Sequence, residues 1–503
     1  MQNEGPSRRH VFFGALLAGA VPAGGYGSAP SLKAAGYKSP NEKLNIAAIG
    51  AGGKGYSDIM NCAATENIVA MADPDDRRAE RTYRQFPQVP KYKDFRRMFD
   101  REEKNIDAVL VSCPDHMHGT AAMWAIVRGK HVYCQKPLTR TVWEAQELLK
   151  AAQKYRVATQ MGNQGYSNEG ARQACEIVWA GDIGAVREVH AWTDRPGKYW
   201  PQDPSVEPRE APVPEWLDWD AWLGGSLPRP YSPAYCPHHW RGFPDFGCGA
   251  IGDMACHILG TPNMALRLSE AWPTSVECVL KEGVGKYTFP HRTIIRFEFP
   301  ARGNMPPVTL YWYDGCKETP KIPGVPEGEW LGDLPYPAMA RTQGAQGGPP
   351  RQGPPPQRTG YVGRVFDYEQ YEAMRKEPDK VRMPPPDGSL FIGEKGMITT
   401  GTYGEQTRLV PAERMKDYRF PPPLLTRSPG HYRDWIRACK GGEPACSNFS
   451  VAAPFVSWML LGVIAMRFEG KLLWDAQRME FSNNREANQY LKPVFRKGWR
   501  FVG

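Results

Sequence analysis

The tightest constraint on the fold lies at residues 43–60, "KLNIAAIGAGGKGYSDIM". Residues 43–49 form an apolar run of the kind that a parallel sheet buries on both faces. The run leads directly into Gly50, Gly52, Gly53 and Gly55, and then into a segment able to form a helix. In a chain with 51 glycines such a pattern is weak by itself. Its context strengthens it, because a strand precedes it, a helix follows, and a second strand at 68–72 ends in Asp73. In that setting Gly50 permits the tight turn, Gly52 with Gly53 beside it lets the backbone approach a pyrophosphate, and Gly55 lets helix and strand pack closely. The phosphate charge then sits at a helix N-terminus, where unpaired N–H groups and the dipole favour an anion. Asp73 is placed to accept hydrogen bonds from ribose hydroxyls and to repel a 2'-phosphate, which favours NAD over NADP. The alternative for Asp73 is a turn or helix-cap aspartate, helped by Pro74.

The alternation continues. Strands are expected at 106–113, 131–134 and 158–161, and helices at 119–128 and 142–155, giving βαβ repetition to about residue 165 and an α/β, doubly wound parallel sheet. Ligands in such sheets bind beyond the carboxyl ends of the strands, where "CPDHMH", "CQKP" and "MGNQG" fall. Pro114, His118, Gln135, Lys136 and Asn163 are therefore grouped with the cofactor. His116 and His118 either face the nicotinamide or substrate, or only fix their loop.

From Gly184 onward, longer alternating strands at 186–192, 275–280, 293–299 and 308–313 have no helices between them, which indicates an antiparallel sheet. "GSLFIGEKGMITTGTYG" reads as a hairpin continuing it. Helices at 431–439 and 453–467 are expected to pack back on the first domain. The chain divides into a segment 1–40 outside the fold, a Rossmann domain 41–165 and a second domain 166–503. Between the first two strands of the second domain lies a Trp- and Pro-rich loop region that includes "DRPGKYWP", "WLDWDAWLGG" and "YCPHHWRGF". Aromatic faces beside Arg195, His239, Trp240 and Arg241 suit a sugar, whose CH surfaces stack on rings while its hydroxyls need hydrogen-bond partners. Equally, the tryptophans can anchor a long loop. Residues 340–360, rich in Pro and Gly, cannot form a core and read as a surface insert.

Composition excludes several classes. With 41% hydrophobic and 23% charged residues and a mean hydropathy of −0.53, the chain has the makeup of a soluble globular protein. After the first thirty residues no apolar run approaches the roughly 20 needed to span a bilayer. The net charge of +9 is spread without a basic block, which argues against a nucleic-acid partner. Eleven cysteines without a CxxC pair argue against a disulfide framework and a structural zinc site, and no metal is expected. At the start, Ser7-Arg8-Arg9-His10-Val11-Phe12 followed by a short Gly/Ala-rich apolar run resembles a twin-arginine signal, read by bacterial machinery that exports folded proteins. A periplasmic or secreted location follows. No free NAD pool exists there, so the protein is expected to fold around its cofactor and be exported loaded.

Together these residues resemble the Gfo/Idh/MocA oxidoreductases over about residues 43–500, most specifically in "GKHVYCQKPL", "TQMGNQG", "WRGFPDFGCGAIGDMACH" and "LLGVIAMRFEGKLLWDAQRMEFSNNREAN". The resemblance implies a Rossmann domain followed by an α/β domain with an open, mostly antiparallel sheet that packs against the cofactor and often forms homo-oligomer contacts. It implies that Lys136 hydrogen-bonds the reacting hydroxyl, and that Asp253 and His257 hold and deprotonate substrate. Positions i and i+4 share a helix face, so the Asp253 carboxylate is expected to orient or polarise the His257 imidazole. Without the resemblance, His257 reads as a core histidine and Asp253 as a helix N-terminal aspartate. One departure stands out: the family's Glu-Lys-Pro tripeptide begins here with Gln135.

These features imply an NAD-dependent oxidoreductase acting on a sugar or polyol. The alternative is an NAD-dependent glycoside hydrolase that oxidises a ring hydroxyl transiently, eliminates the aglycone, adds water and restores the hydride. Gln135 motivates a third reading, a binding protein without turnover.

Overall fold

The computed structural model describes residues 42–337 and 365–501. The signal-like segment 1–40 and the Pro/Gly-rich stretch 340–360 lie outside the described residues. Six parallel strands form the first sheet: β1 (Asn45–Ile49), β2 (Asn67–Ala72), β3 (Lys91–Tyr92), β4 (Ala108–Val111), β5 (His131–Cys134) and β6 (Thr159–Met161), in the order β3-β2-β1-β4-β5-β6. Between them run α1 (Lys54–Ala63), α2 (Asp76–Gln85), α3 (Phe95–Glu102), α4 (Asp115–Ile126) and α5 (Val142–Tyr155), and α6 (Glu169–Ala180) follows. The period of two along the strands gives the sheet two apolar faces. Ala47, Ile49, Val109 and Val111 join one core, and Ile46, Ala48 and Leu110 join another. The strand order reverses between β1 and β4, and this opens a crevice at their carboxyl ends.

The expected helix at 119–128 starts earlier, at Asp115, so most of "CPDHMH" is helical. Pro114 in extended backbone ends the preceding loop, and an aspartate in the first turn complements the helix dipole. The expected strand at 106–113 is correspondingly shorter.

The second sheet has nine strands: β7 (Val186–Trp192), β8 (Ser275–Glu282), β9 (Arg292–Phe299), β10 (Val308–Asp314), then β13 (Gly388–Gly393), β14 (Gly396–Thr400), β15 (Arg408–Val410), β16 (Leu472–Asp475) and β17 (Glu480–Phe481). The intervening β11 (Tyr336–Pro337) and β12 (Val381–Arg382) pair separately. The order is β15-β14-β13-β7-β10-β9-β8-β16-β17, and only the β7–β10 pair is parallel. Along β9 and β10 burial alternates residue by residue, as a sheet with one covered face requires.

Two C-terminal helices join the sheets. α7 (His431–Cys439) lays Trp435, Ile436 and Cys439 into the core formed by Ile46, Ala48 and Leu110. α8 (Phe449–Ala465) begins four residues before its expected start because the Asn448 side chain caps it through the Ser450 amide at 2.9 Å. It is apolar almost all round, as a helix covered on both sides must be. On one side Gln146 of α5 donates to Ser457 (2.8 Å). On the other, Trp458 meets Phe297 and Phe299 of β9 edge-on, with ring centroids 5.3 and 5.1 Å apart. Its Nε1 donates to Asn263 Oδ1 at 3.1 Å. No helix among the described residues is long and apolar enough to cross a membrane.

Trp458→Ala should therefore empty the joint between the two sheets and remove one of the two donors to Asn263 Oδ1, the other being Ser269. The expected cost is about 3–5 kcal/mol, read as a lowered midpoint in thermal or denaturant unfolding.

Candidate active site

The glycine loop meets the steric demands set by its spacing. Gly50 has φ +90°, and a Cβ there would lie 2.6 Å from the Ser112 carbonyl. A Cβ on Gly55 would lie 2.1 Å from Gly50 O, so Gly55 serves helix–strand packing and does not line the crevice. α1 starts from Gly53 with no side-chain cap and no acid in its first turn, which leaves its amides suited to an anion. The Arg78 guanidinium, which the sequence did not single out, lies against Gly53. Asp73 sits at the end of β2 as expected, but its carboxylate also organises the loop. Oδ2 accepts from the amides of Ala51 (2.8 Å) and Gly52 (3.1 Å), and Oδ1 accepts from that of Asp75 (3.0 Å). This cradle fits a dinucleotide.

From the loop a crevice of about 2560 Å³ runs along the strand ends, large enough for a dinucleotide and a second molecule. Of the residues grouped with the cofactor, Gly50, Gly52, Gly53, Asp73, Pro114, His118, Gln135 and Lys136 line it. Asn163 does not, and its buried side-chain amide has no hydrogen-bond partner among the described residues. Of those grouped with the substrate, Trp240, Arg241 and His257 line it, whereas Arg195 and His239 stand outside the wall.

At the far end Lys136, just after β5, meets Asp253, which projects from a π turn at Ile251–Ala255. Lys136 Nζ donates to Asp253 Oδ1 at 2.8 Å and to its backbone oxygen at 2.5 Å. Arg241 Nε donates to the same Oδ1 (3.2 Å), and Arg195 Nε lies 3.8 Å from Oδ2. Burial alone would raise the Asp253 carboxyl, but Lys136, Arg241 and Arg195 outweigh it and hold the group well below the usual carboxylate range. The expected pairing of Asp253 with His257 is not made: the cations take the carboxylate, and the segment between is widened into a π turn. His257 instead packs edge-on against Tyr403, 4.7 Å between ring centroids, with Nδ1 buried and without a hydrogen-bond partner among the described residues. Burial, reinforced by the Lys136 charge, holds its imidazole far below the ordinary value, so the ring is neutral.

The other histidines fix structure. His116 donates through Nε2 to Trp222 O (2.9 Å) and packs against Trp222 and Phe246, and burial pulls it down to about 3. His118 stands between the carbonyl oxygens of Pro137 (2.7 Å) and Cys113 (2.8 Å), after β5 and β4; burial lowers it to about 4, so the neutral ring donates to one of them at a time. The tryptophan-rich region is chiefly a small core. Trp222, Tyr235, Trp240, Phe243 and Phe246 are buried together, and Trp219 stacks on Trp222 and Tyr235. Trp222 and Trp240 reach the crevice, and Trp240 carries the Arg241 guanidinium 4.2 Å above its ring. Asp115 and Tyr403, both lining the crevice, were not singled out from the sequence. Asp115 precedes the helix start expected at residue 119 and carried no local mark of the crevice. Tyr403 arrives from the hairpin end, far along the chain, with no local mark.

Two family models match the chain. Residues 44–163 match an oxidoreductase family's NAD-binding Rossmann fold, and residues 192–287 match the C-terminal alpha/beta domain of that family. Inositol 2-dehydrogenase of Salmonella paratyphi B is 26% identical over 151 residues, 29% of this chain and 44% of that protein. Levoglucosan dehydrogenase of Pseudarthrobacter phenanthrenivorans is 24% identical over 231 residues, 43% of this chain and 50% of that protein. The chain thus spans about half the length of these curated relatives or less. The WlbA dehydrogenase of Bordetella pertussis, solved in complex with NADH and UDP-GlcNAcA, shares the fold with a TM-score of 0.53 at 12% identity, covering 86% of this chain and 99% of that one.

The buried Asp115 yields a pH prediction. Burial, only partly offset by Arg241 and Lys136, pushes its carboxyl from 3.8 up to about 7. Across that interval the folded protein keeps a proton that the unfolded chain releases. The group's contribution to stability is therefore present below pH 3.8 and lost as pH rises through about 7. Asp115→Asn, which cannot ionise, should remove this slope, so that between pH 5 and 8 the wild-type Tm falls relative to the variant. Parallel Tm–pH curves would refute the assignment.

Proposed function

The chain belongs to the Gfo/Idh/MocA oxidoreductase family, and from that premise we propose that it oxidises a hydroxyl of a sugar or polyol with NAD. One observation carries this reading: the Lys136 ammonium, pinned by Asp253, faces the same crevice as the neutral His257 and the glycine loop. Bound NAD supplies a nicotinamide that accepts the hydride. The loop amides at the start of α1 hold the pyrophosphate, and Asp73 takes the ribose. Lys136 donates a hydrogen bond to the reacting oxygen and stabilises the negative charge that grows there. His257, neutral because it is buried, receives the hydroxyl proton. Asp253 acts by positioning Lys136 and does not polarise His257. The names of the dehydrogenase relatives support a sugar or polyol substrate.

The reading extends to an exported enzyme that keeps its cofactor and recycles it in place, which the paired arginines at positions 8 and 9 motivate. Mass spectrometry of the supernatant after denaturing protein purified without added nucleotide should find NAD. An empty site would overturn retention. Cell fractionation of the Arg8→Lys/Arg9→Lys variant should find it held in the cytoplasm, and light scattering measures the homo-oligomer that the family resemblance implies.

Lys136→Ala should lower kcat by about 10²–10⁴-fold, while NADH binding, followed by fluorescence, changes only a few-fold. Unchanged turnover would remove Lys136 from the mechanism. Aglycone release with no net change in NADH absorbance would instead identify the glycoside-cleaving cycle.

A further inference from the structure

Beneath the crevice lies a carboxylate that the reaction does not use. Asp58, on α1, is wholly buried and does not line the crevice. It accepts hydrogen bonds from side chains on four separate pieces of backbone that do line it. Lys54 reaches Oδ1 from the preceding turn of α1. Ser112, after β4, donates to Oδ2 at 2.8 Å. Gln135, after β5, donates through Nε2 to the same Oδ2 at 2.8 Å. Tyr432 of α7 donates to Oδ1 at 2.6 Å and in turn accepts from Lys54 Nζ at 2.9 Å.

This geometry accounts for Gln135. With an acid at position 135, a carboxylate oxygen would face Asp58 Oδ2 where the amide Nε2 now donates, and two buried anions would meet without a donor between them. The amide converts that repulsion into a hydrogen bond, and its own Oε1 points back toward the Lys136 amide (3.4 Å). The single negative charge of this layer stands on Asp58 instead of on the residue before Lys136. Because its donors come from α1, from the loops after β4 and β5, and from α7, the same charge ties the glycine-loop helix, the Lys136 segment and the C-terminal helix to one point.

We propose that Asp58 is the positioning residue of the dinucleotide crevice and that Asp58 and Gln135 form an acid–amide pair whose members can be exchanged. The inference rests on reading this crevice as the NAD site.

The test compares full-length wild type with Asp58→Asn, Gln135→Glu and the double variant Asp58→Asn/Gln135→Glu, measuring NADH affinity by fluorescence and the thermal midpoint of each. Each single change should weaken NADH about tenfold or more and lower the midpoint: one sets amide donors against Tyr432 and Gln135, the other sets carboxylate against carboxylate. In the double variant the amide stands on α1 and donates to a carboxylate placed before Lys136. It should return to within about threefold of wild type in affinity and regain most of the midpoint. A double variant no better than the weaker single overturns the pair. A regained midpoint without regained affinity overturns the positioning role and leaves only a structural one. If the single variants do not fold, a folded double variant supports the pair and an unfolded one overturns it. A wild type that binds no NADH sinks the dinucleotide reading and with it the positioning role, while the four midpoints still decide the pair.

Discussion

Lys136, just after β5 of the first sheet, and Asp253, on a π turn between β7 and β8, stand 117 residues apart, yet their charges meet within hydrogen-bond distance at the end of the crevice. Such a contact is stable only where both partners are held, because a buried charge that loses its partner costs several kcal/mol. The site therefore depends on rigid attachment of the second sheet to the first. α8 provides it, wedged between α5 and the nine-stranded sheet with Trp458 against the β9 phenylalanines. Three cations converge on Asp253, and that convergence keeps the acid ionised despite its burial and leaves the neighbouring imidazole to be neutralised by desolvation.

The arrangement separates two kinds of polar group. Those facing the crevice, Lys136 and His257 among them, retain capacity for a ligand. Others are consumed by the protein, on the crevice wall or beneath it: His118 by carbonyl oxygens, Asp73 largely by loop amides, and Asp58, which lies beneath, by four donors. Fully met polar groups of this second kind give the crevice its shape, and their rigidity lets a few remaining groups be aimed at a substrate.

Much of this was legible in the order of residues. Five of the six Rossmann strands, the helices after Gly55 and over 142–155, β7 to β10 of the second sheet and the hairpin at Gly388–Gly393 and Gly396–Thr400 follow from local periodicity and turn signals, whereas β3, α2, α3, α6 and β15 to β17 carried no such signal. The glycine loop follows from steric need, since Gly50 and Gly55 tolerate no Cβ. Local pattern failed where the answer lay in distant contacts. Asp253 was expected to serve His257, its neighbour in sequence, and serves Lys136. The tryptophans, which suited a sugar platform and a loop anchor equally, chiefly pack on one another. Asp115 and Tyr403 carried no sign of the crevice they line.

The linear sequence alone determined the fold class, the glycine loop and the placing of Lys136 at a strand's carboxyl end, because strand periodicity, glycine sterics and a compact motif are all properties of neighbouring residues. Tertiary structure alone decided which charges meet. Electrostatic pairing depends on distances through space and on the exclusion of water, and neither exists until both sheets and the two C-terminal helices have come together. The meaning of Gln135 belongs to that second class: beside Lys136 in sequence it reads as a missing acid, and in the folded protein it is the donor that a buried Asp58 requires.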